Sequence, residues 1–201
     1  MHISEGVLAA PVLVGGASLT AAGLGVALKK LRNEDIPKVG VLSAGFFVVG
    51  LIHVPIGFAS VHLVLNGLVG IILGWLSFPA IFVGLLLQSV MFQYGGITVL
   101  GVNTFNMAVP ALVSYFLFAR PAREASKSHL SSVSAFMAGS LAIFLSGILV
   151  GISLYLTGEA FLPAAKVVVA GHIPVMVIEG IITAACVTFL KKVKPELLSM
   201  T

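Results

Sequence analysis

Met1 and His2 together offer three nitrogens to one cation: the α-amine, the His2 backbone nitrogen and the His2 imidazole. Closing on a metal, they form one five-membered ring through the backbone and one six-membered ring through Nδ1, both unstrained sizes. The three donors then share a plane. Such a set suits a transition ion with a tetragonal preference, Ni(II), Cu(II) or planar Co(II), far better than zinc or magnesium. One further donor would complete a square. The chelate needs the amine of Met1 itself, and the bulk of His2 predicts that this methionine is retained. On these residues alone, a chance histidine in a frayed terminus explains the pattern more simply.

The remainder of the chain has the composition of a membrane protein. Of its 201 residues 59% are hydrophobic and only 9% charged, against roughly a quarter charged in soluble domains. The apolar runs are long and do not alternate, which indicates helices of about 20 residues rather than barrel strands. The single Cys186 excludes an intrachain disulfide and argues against a cysteine metal site. The net charge of +4 is not a nucleic-acid signature, because ten of the eleven Lys and Arg residues fall into three clusters. These are Lys29, Lys30, Arg32 and Lys38; Arg120, Arg123 and Lys127; and Lys191, Lys192 and Lys194. They read as cytoplasmic flanks of membrane spans.

Seven apolar runs are expected as spans, at residues 6–28, 39–51, 63–76, 80–92, 97–118, 130–156 and 167–190. The first is no signal peptide, since its basic residues follow the apolar stretch. Seven crossings place all three basic clusters on one side, with the N-terminus outside and the C-terminus cytoplasmic. The fold class is therefore an all-α integral membrane protein, a bundle of seven transmembrane helices. Residues 1–201 form one domain: a chelating segment at 1–5, the bundle at 6–190 and a cytoplasmic tail at 191–201. Ala17, Ala21 and Gly25 make a small-residue stripe on the first span, of the kind that lets helices approach closely.

Polar side chains at membrane depth are costly unless paired, hydrated or functional, and here they gather on the outer side. His62 opens the short third span, Gln93 closes the fourth, and Asn103, Thr104 and Asn106 occupy the outer half of the fifth. His172 lies near the outer start of the seventh. Glu179 follows it by two helical turns on the same face, about 10 Å along the axis. With no Lys or Arg at its depth, Glu179 is expected to pair with Asn, Thr or His side chains of neighbouring helices. A buried network that fixes helix register and a direct place in a ligand site fit it equally. His129 reads as a solvated loop residue and His53 as a capping or interfacial one. His62, on the side of the N-terminus, is the best fourth donor. No Gly-x-Ser-x-Gly, His-Glu-x-x-His or phosphate-loop motif accompanies these residues, so neither hydrolysis nor ATP binding is indicated. A four-nitrogen plane is saturated, which favours carriage over catalysis.

Taken together, Met1-His2-Ile3-Ser4-Glu5-Gly6, Ser60-Val61-His62-Leu63 with Asn66-Gly67, Tyr94-Gly95-Gly96-Ile97-Thr98-Val99-Leu100-Gly101-Val102-Asn103-Thr104-Phe105-Asn106-Met107, and His172-Ile173-Pro174 with Glu179-Gly180 resemble the CbiM/NikM family. Its members are the substrate-binding membrane components of energy-coupling-factor transporters for cobalt and nickel. The resemblance implies that the N-terminus folds back into the bundle and binds the metal through the Met1 amine, the His2 backbone nitrogen and imidazole, and His62. It implies that Asn103 and its neighbours, Thr104 and Asn106, line the site, and leaves the roles of His172 and Glu179 open. It also implies a transmembrane coupling subunit, cytoplasmic ATPase subunits and often a small accessory membrane protein. No cofactor is expected beyond the transported Ni2+ or Co2+. A stand-alone secondary transporter or channel is the alternative; its inverted repeat or continuous polar path is not visible in the sequence.

Overall fold

The computed structural model describes residues 2–56, 59–125 and 128–198. Seven α-helices are found among them: α1 (Ala10–Lys30), α2 (Ile36–Val49), α3 (Asn66–Leu73), α4 (Ser77–Phe92), α5 (Leu100–Glu124), α6 (Ser128–Thr157) and α7 (Leu162–Val193). Between α2 and α3 lies an antiparallel hairpin, β1 (His53–Ile56) with β2 (Ala59–His62), in which His53 pairs with His62. This hairpin is the one departure from an all-helical chain among the described residues. Prolines stand in the first turns of α1, α2 and α7, where a missing N–H costs nothing. Lysines end α1 and α7 and complement the negative end of each helix dipole.

Five segments are long and apolar enough to cross a membrane: Ala10–Lys30, Asn66–Phe92, Leu100–Glu124, Ser128–Thr157 and Glu159–Val193. The second of these is not one straight rod. His62, just before α3, stacks on the His2 ring at 4.6 Å between centroids, and Gln88, near the end of α4, lies 2.8 Å from the same ring. A continuous helix would part His62 and Gln88 by roughly 39 Å at 1.5 Å per residue. The chain therefore doubles back between α3 and α4. Gly74 makes the reversal at φ +55°, a conformation that a side chain would disfavour.

α3 is the centre of the molecule. All eight of its residues are buried. It slips between α5 and α6 because it is smooth there: a Cβ on Gly67 would stand 2.7 Å from the Ala138 carbonyl oxygen and the Gly139 Cα, and one on Gly70 would overlap the Ala111 backbone. Glycine on a membrane helix serves such close approach. α1 packs through a different line from the expected stripe. Its buried residues are Thr20, Gly23 and Ala27, and the Thr20 hydroxyl donates to the Gly101 carbonyl at 2.6 Å. Ala17 abuts Gly101 at its edge, whereas Ala21 and Gly25 face outward.

The described residues of the three basic clusters share one end of the bundle. There Lys191 Nζ donates to the Ala125 carbonyl at 2.9 Å and to Ser131 Oγ at 3.1 Å, and Lys30 Nζ stands 5.9 Å from the Trp75 ring centroid. Arg123 donates to the Ile71 carbonyl in the last turn of α3. The histidines His2 and His62 are at the opposite end.

Candidate metal centre

The segment before α1 crosses the α4–α5 connection, turning at Glu5 and Gly6, and is pinned there by its own backbone. Asn103 Oδ1 accepts from the Ile3 N–H at 3.0 Å, while Asn103 Nδ2 donates to the Ile3 carbonyl at 3.1 Å. One amide thus replaces a strand partner and fixes His2 next to it. The Glu5 N–H donates to the Gly95 carbonyl at 3.0 Å, and Glu5 Oε1 accepts from the Thr98 N–H at 3.0 Å and the Thr98 hydroxyl at 3.2 Å. The connection can come this close because Gly95 has φ +77° and its missing Cβ would stand 2.9 Å from Asn103 Nδ2 and 3.5 Å from His2 Cβ.

The Glu5 latch has a pH dependence with a definite sign. The Thr98 backbone N–H, with its hydroxyl, holds the Glu5 carboxyl below its ordinary value of 4.5. The latch is then complete above 4.5 and is lost as pH falls through the lowered value. The Thr98 amide should lose hydrogen-exchange protection below that range, and in Glu5→Ala at every pH. Release of bound metal, followed with a chelator, should be faster in Glu5→Ala than in the unaltered chain.

Two imidazoles stand together at the candidate centre. The His2 and His62 rings stack with centroids 4.6 Å apart and planes inclined by 26°. Two imidazoles cis on one ion, with metal–nitrogen bonds of about 2 Å, would hold their centroids roughly 4.4 Å apart, and a trans pair would be much farther apart. The observed spacing is that of a cis pair, and with planes inclined by 26° it is also that of a plain stacking contact. His62 Nδ1 lies 2.9 Å from the Leu63 carbonyl, which can only accept, so Nδ1 carries the proton and Nε2 the lone pair. Met1 lies outside the described residues.

Glu179 has partners that differ from the expected ones. Among the described residues its partners are backbone groups and not the side chains of neighbouring helices: the Val64 N–H donates to Oε1, and the Leu65 N–H donates at 3.1 Å to Oε1 and 2.9 Å to Oε2. These are orphan donors at the N-terminus of α3. Leu65 is left-handed at φ 54°, which turns consecutive N–H groups toward one acidic side chain. The acid of α7 caps α3 only two residues beyond His62, and the guanidinium of Arg123 caps the other end of the same helix.

The remaining polar residues divide between the site and the packing. Asn103 holds the N-terminal segment. Asn106 pairs with Ser153 of α6 at 3.2 Å, away from the histidines. Thr104 is fully buried, with a hydroxyl that has no partner among the described residues. His172 rests against Gly147 and bonds the Val168 carbonyl through Nδ1, and its Nε2 has no partner there either. His53 lies in β1, and His129 is exposed at the basic end. Gln88 was missed by sequence reasoning: its Oε1 lies 2.8 Å from His2 Nε2, and its Nε2 donates to the Phe47 carbonyl at 3.1 Å. The available signal was a lone amide within an apolar run, a costly placement at membrane depth.

A profile described as CbiM, cobalt uptake substrate-specific transmembrane region, matches residues 2–197. The chain belongs to the CbiM family. A Haemophilus influenzae protein named for metal transport is 40% identical to this CbiM-family chain over 202 residues, covering all of it and 98% of the relative. An Archaeoglobus fulgidus protein, named as a fused nickel transport protein NikMN, is 31% identical and covers 98% of this chain and 68% of its own length. The crystal structure of a truncated transition metal transporter superposes with a TM-score of 0.74 at 26% identity, covering 96% of this chain and 99% of that one. CbiM-family membership, with the five long apolar segments, makes this a multi-pass membrane component of cobalt and nickel transport.

Proposed function

We propose that this chain is the substrate-binding component of an ATP-driven importer of the energy-coupling-factor class. It takes Ni2+ or Co2+ in a plane of four nitrogens: the Met1 amine, the His2 backbone nitrogen and imidazole, and the His62 imidazole. The observation that carries the reading is the pair of His2 and His62 rings, 4.6 Å apart, in a chain of the cobalt uptake family. Residues 1–201 act as one domain with seven crossings of a prokaryotic cytoplasmic membrane. α3 and α4 then make a short and a longer crossing. The N-terminus is outside with the histidines, and the C-terminus is cytoplasmic with the basic clusters.

The chain works with a transmembrane coupling subunit, cytoplasmic ATPase subunits and a small accessory membrane subunit, and needs no cofactor beyond its cargo. Capture outside and release inside require motion powered by the partners, since α3, wholly buried and closely packed on α5 and α6, closes the bundle below the histidines. The test is uptake of radioactive Ni2+ and Co2+ by proteoliposomes. The chain alone should bind metal without accumulating it, and accumulation should need the coupling and ATPase subunits with ATP. Accumulation by the chain alone would replace this reading with a stand-alone transporter.

A further inference from the structure

The Gln88 amide can sit in only one orientation. The Phe47 carbonyl, 3.1 Å from one end of the amide, has no proton to give, so that end must be the NH2. The opposite end, 2.8 Å from His2 Nε2, is then the carbonyl oxygen, which can only accept. Nε2 of His2 therefore carries the proton, and in the neutral ring the lone pair is on Nδ1. Nδ1 is the nitrogen that closes an unstrained six-membered ring with the His2 backbone nitrogen; Nε2, on the far side of the imidazole, would need a much larger and strained one.

We infer that Gln88 is a positioning residue that fixes the His2 tautomer and thereby sets the preference of the site for ions that accept a planar chelate. The inference rests on the proposed metal-capturing role and deepens it. Gln88 touches no metal. It acts through the imidazole, as the outer partners of ligating histidines do elsewhere by orienting the ring and raising its basicity. His62 is set in the complementary sense by the Leu63 carbonyl, so the two rings present Nδ1 and Nε2 respectively. A tetrahedral ion such as Zn2+ gains nothing from the planar three-nitrogen arrangement.

Gly50 supplies a second handle on the same contact. A methyl group there would overlap the Gln88 amide nitrogen, while the backbone at φ −63° and ψ −13° accepts alanine without strain. Gly50→Ala therefore displaces the amide while removing no polar group.

The experiment compares the unaltered chain, Gln88→Met, Gln88→Glu and Gly50→Ala, titrated calorimetrically with Ni2+ and with Zn2+. The visible spectrum of the Ni2+ form reports planarity, and the 15N shifts of the His2 ring in metal-free protein report its tautomer. Gln88→Met should bind Ni2+ about ten to a hundredfold more weakly, lose the yellow planar spectrum and change little toward Zn2+. Gly50→Ala should move the same way. Gln88→Glu keeps an acceptor toward His2 but turns its other carboxylate oxygen on the Phe47 carbonyl, so it should keep an unprotonated Nδ1 and fall between the unaltered chain and Gln88→Met in Ni2+ affinity. Wild-type Ni2+ affinity and spectrum in both Gln88→Met and Gly50→Ala would overturn the inference alone, as would equal loss in Gln88→Glu and Gln88→Met. Failure of the unaltered chain to bind Ni2+ would overturn the metal-capturing role itself.

Discussion

Glu179→Ala should lower the unfolding temperature of the purified protein and weaken Ni2+ binding together. Glu179 is fully buried, and its removal strands the N–H groups of Val64 and Leu65 with no water to replace it. Each orphaned buried donor costs about 1–3 kcal/mol. The damage falls on α3, which has no exposed face with which to adjust, and on the residues joining it to His62. A donor whose support is lost typically forfeits about ten to a hundredfold in metal affinity. Glu179→Gln can keep an oxygen at Oε1, which serves both N–H groups, and turns its NH2 toward the Leu65 N–H alone, so it should fall between Glu179→Ala and the unaltered chain. Thermal unfolding in detergent and Ni2+ calorimetry read the two effects separately. If Glu179→Gln kept full stability and lost all metal binding, the acid would be touching the cation and not capping the helix.

The contrast between Glu179 and His62 shows what a sequence displays. Long apolar runs announce their helices because burial in lipid demands about 20 such residues, and the placement of His62 at the end away from the basic clusters followed from counting them. A reversal between the runs at 63–76 and 80–92 was legible as well, but its place at Gly74 was not. The partner of Glu179 was not legible. Its donors are backbone N–H groups, present at every residue and exposed only where a helix begins, so side-chain identity gives no hint of them. Gln88 escaped notice for a related reason: its role depends on the carbonyl of Phe47 and on a missing side chain at Gly50, neither of which reads as polar. The β1–β2 hairpin arises where His53-Val54-Pro55-Ile56-Gly57 breaks helical periodicity. Proline and glycine there announce an interruption without specifying what fills it. The small residues of α1 misdirect in the opposite way, since Ala, Gly and Ser recur on several of its faces and the buried line runs through Thr20, Gly23 and Ala27.

His62→Ala should reduce Ni2+ affinity by about a thousandfold, close to 4 kcal/mol, while leaving the unfolding temperature nearly unchanged. His62 is half-buried, and its Nδ1 donates to the carbonyl of the adjacent Leu63, so the bundle loses little packing with it. The site loses the one donor that the N-terminal chelate cannot supply. His2→Ala should be more severe, removing the six-membered ring and the contact with Gln88 at once. Acetylation of the Met1 amine should be comparably damaging, because it removes a σ-donor and the five-membered ring without altering any side chain. His129→Ala, at the opposite end of the molecule, should change nothing. Binding should weaken in acid in the unaltered chain, since the amine and the His2 amide must each give up a proton to bind metal. Equal affinity in His62→Ala and the unaltered chain would mean that the stacked rings are a packing contact, and the capture site would then have to be sought elsewhere, with the buried Nε2 of His172 the first group to test.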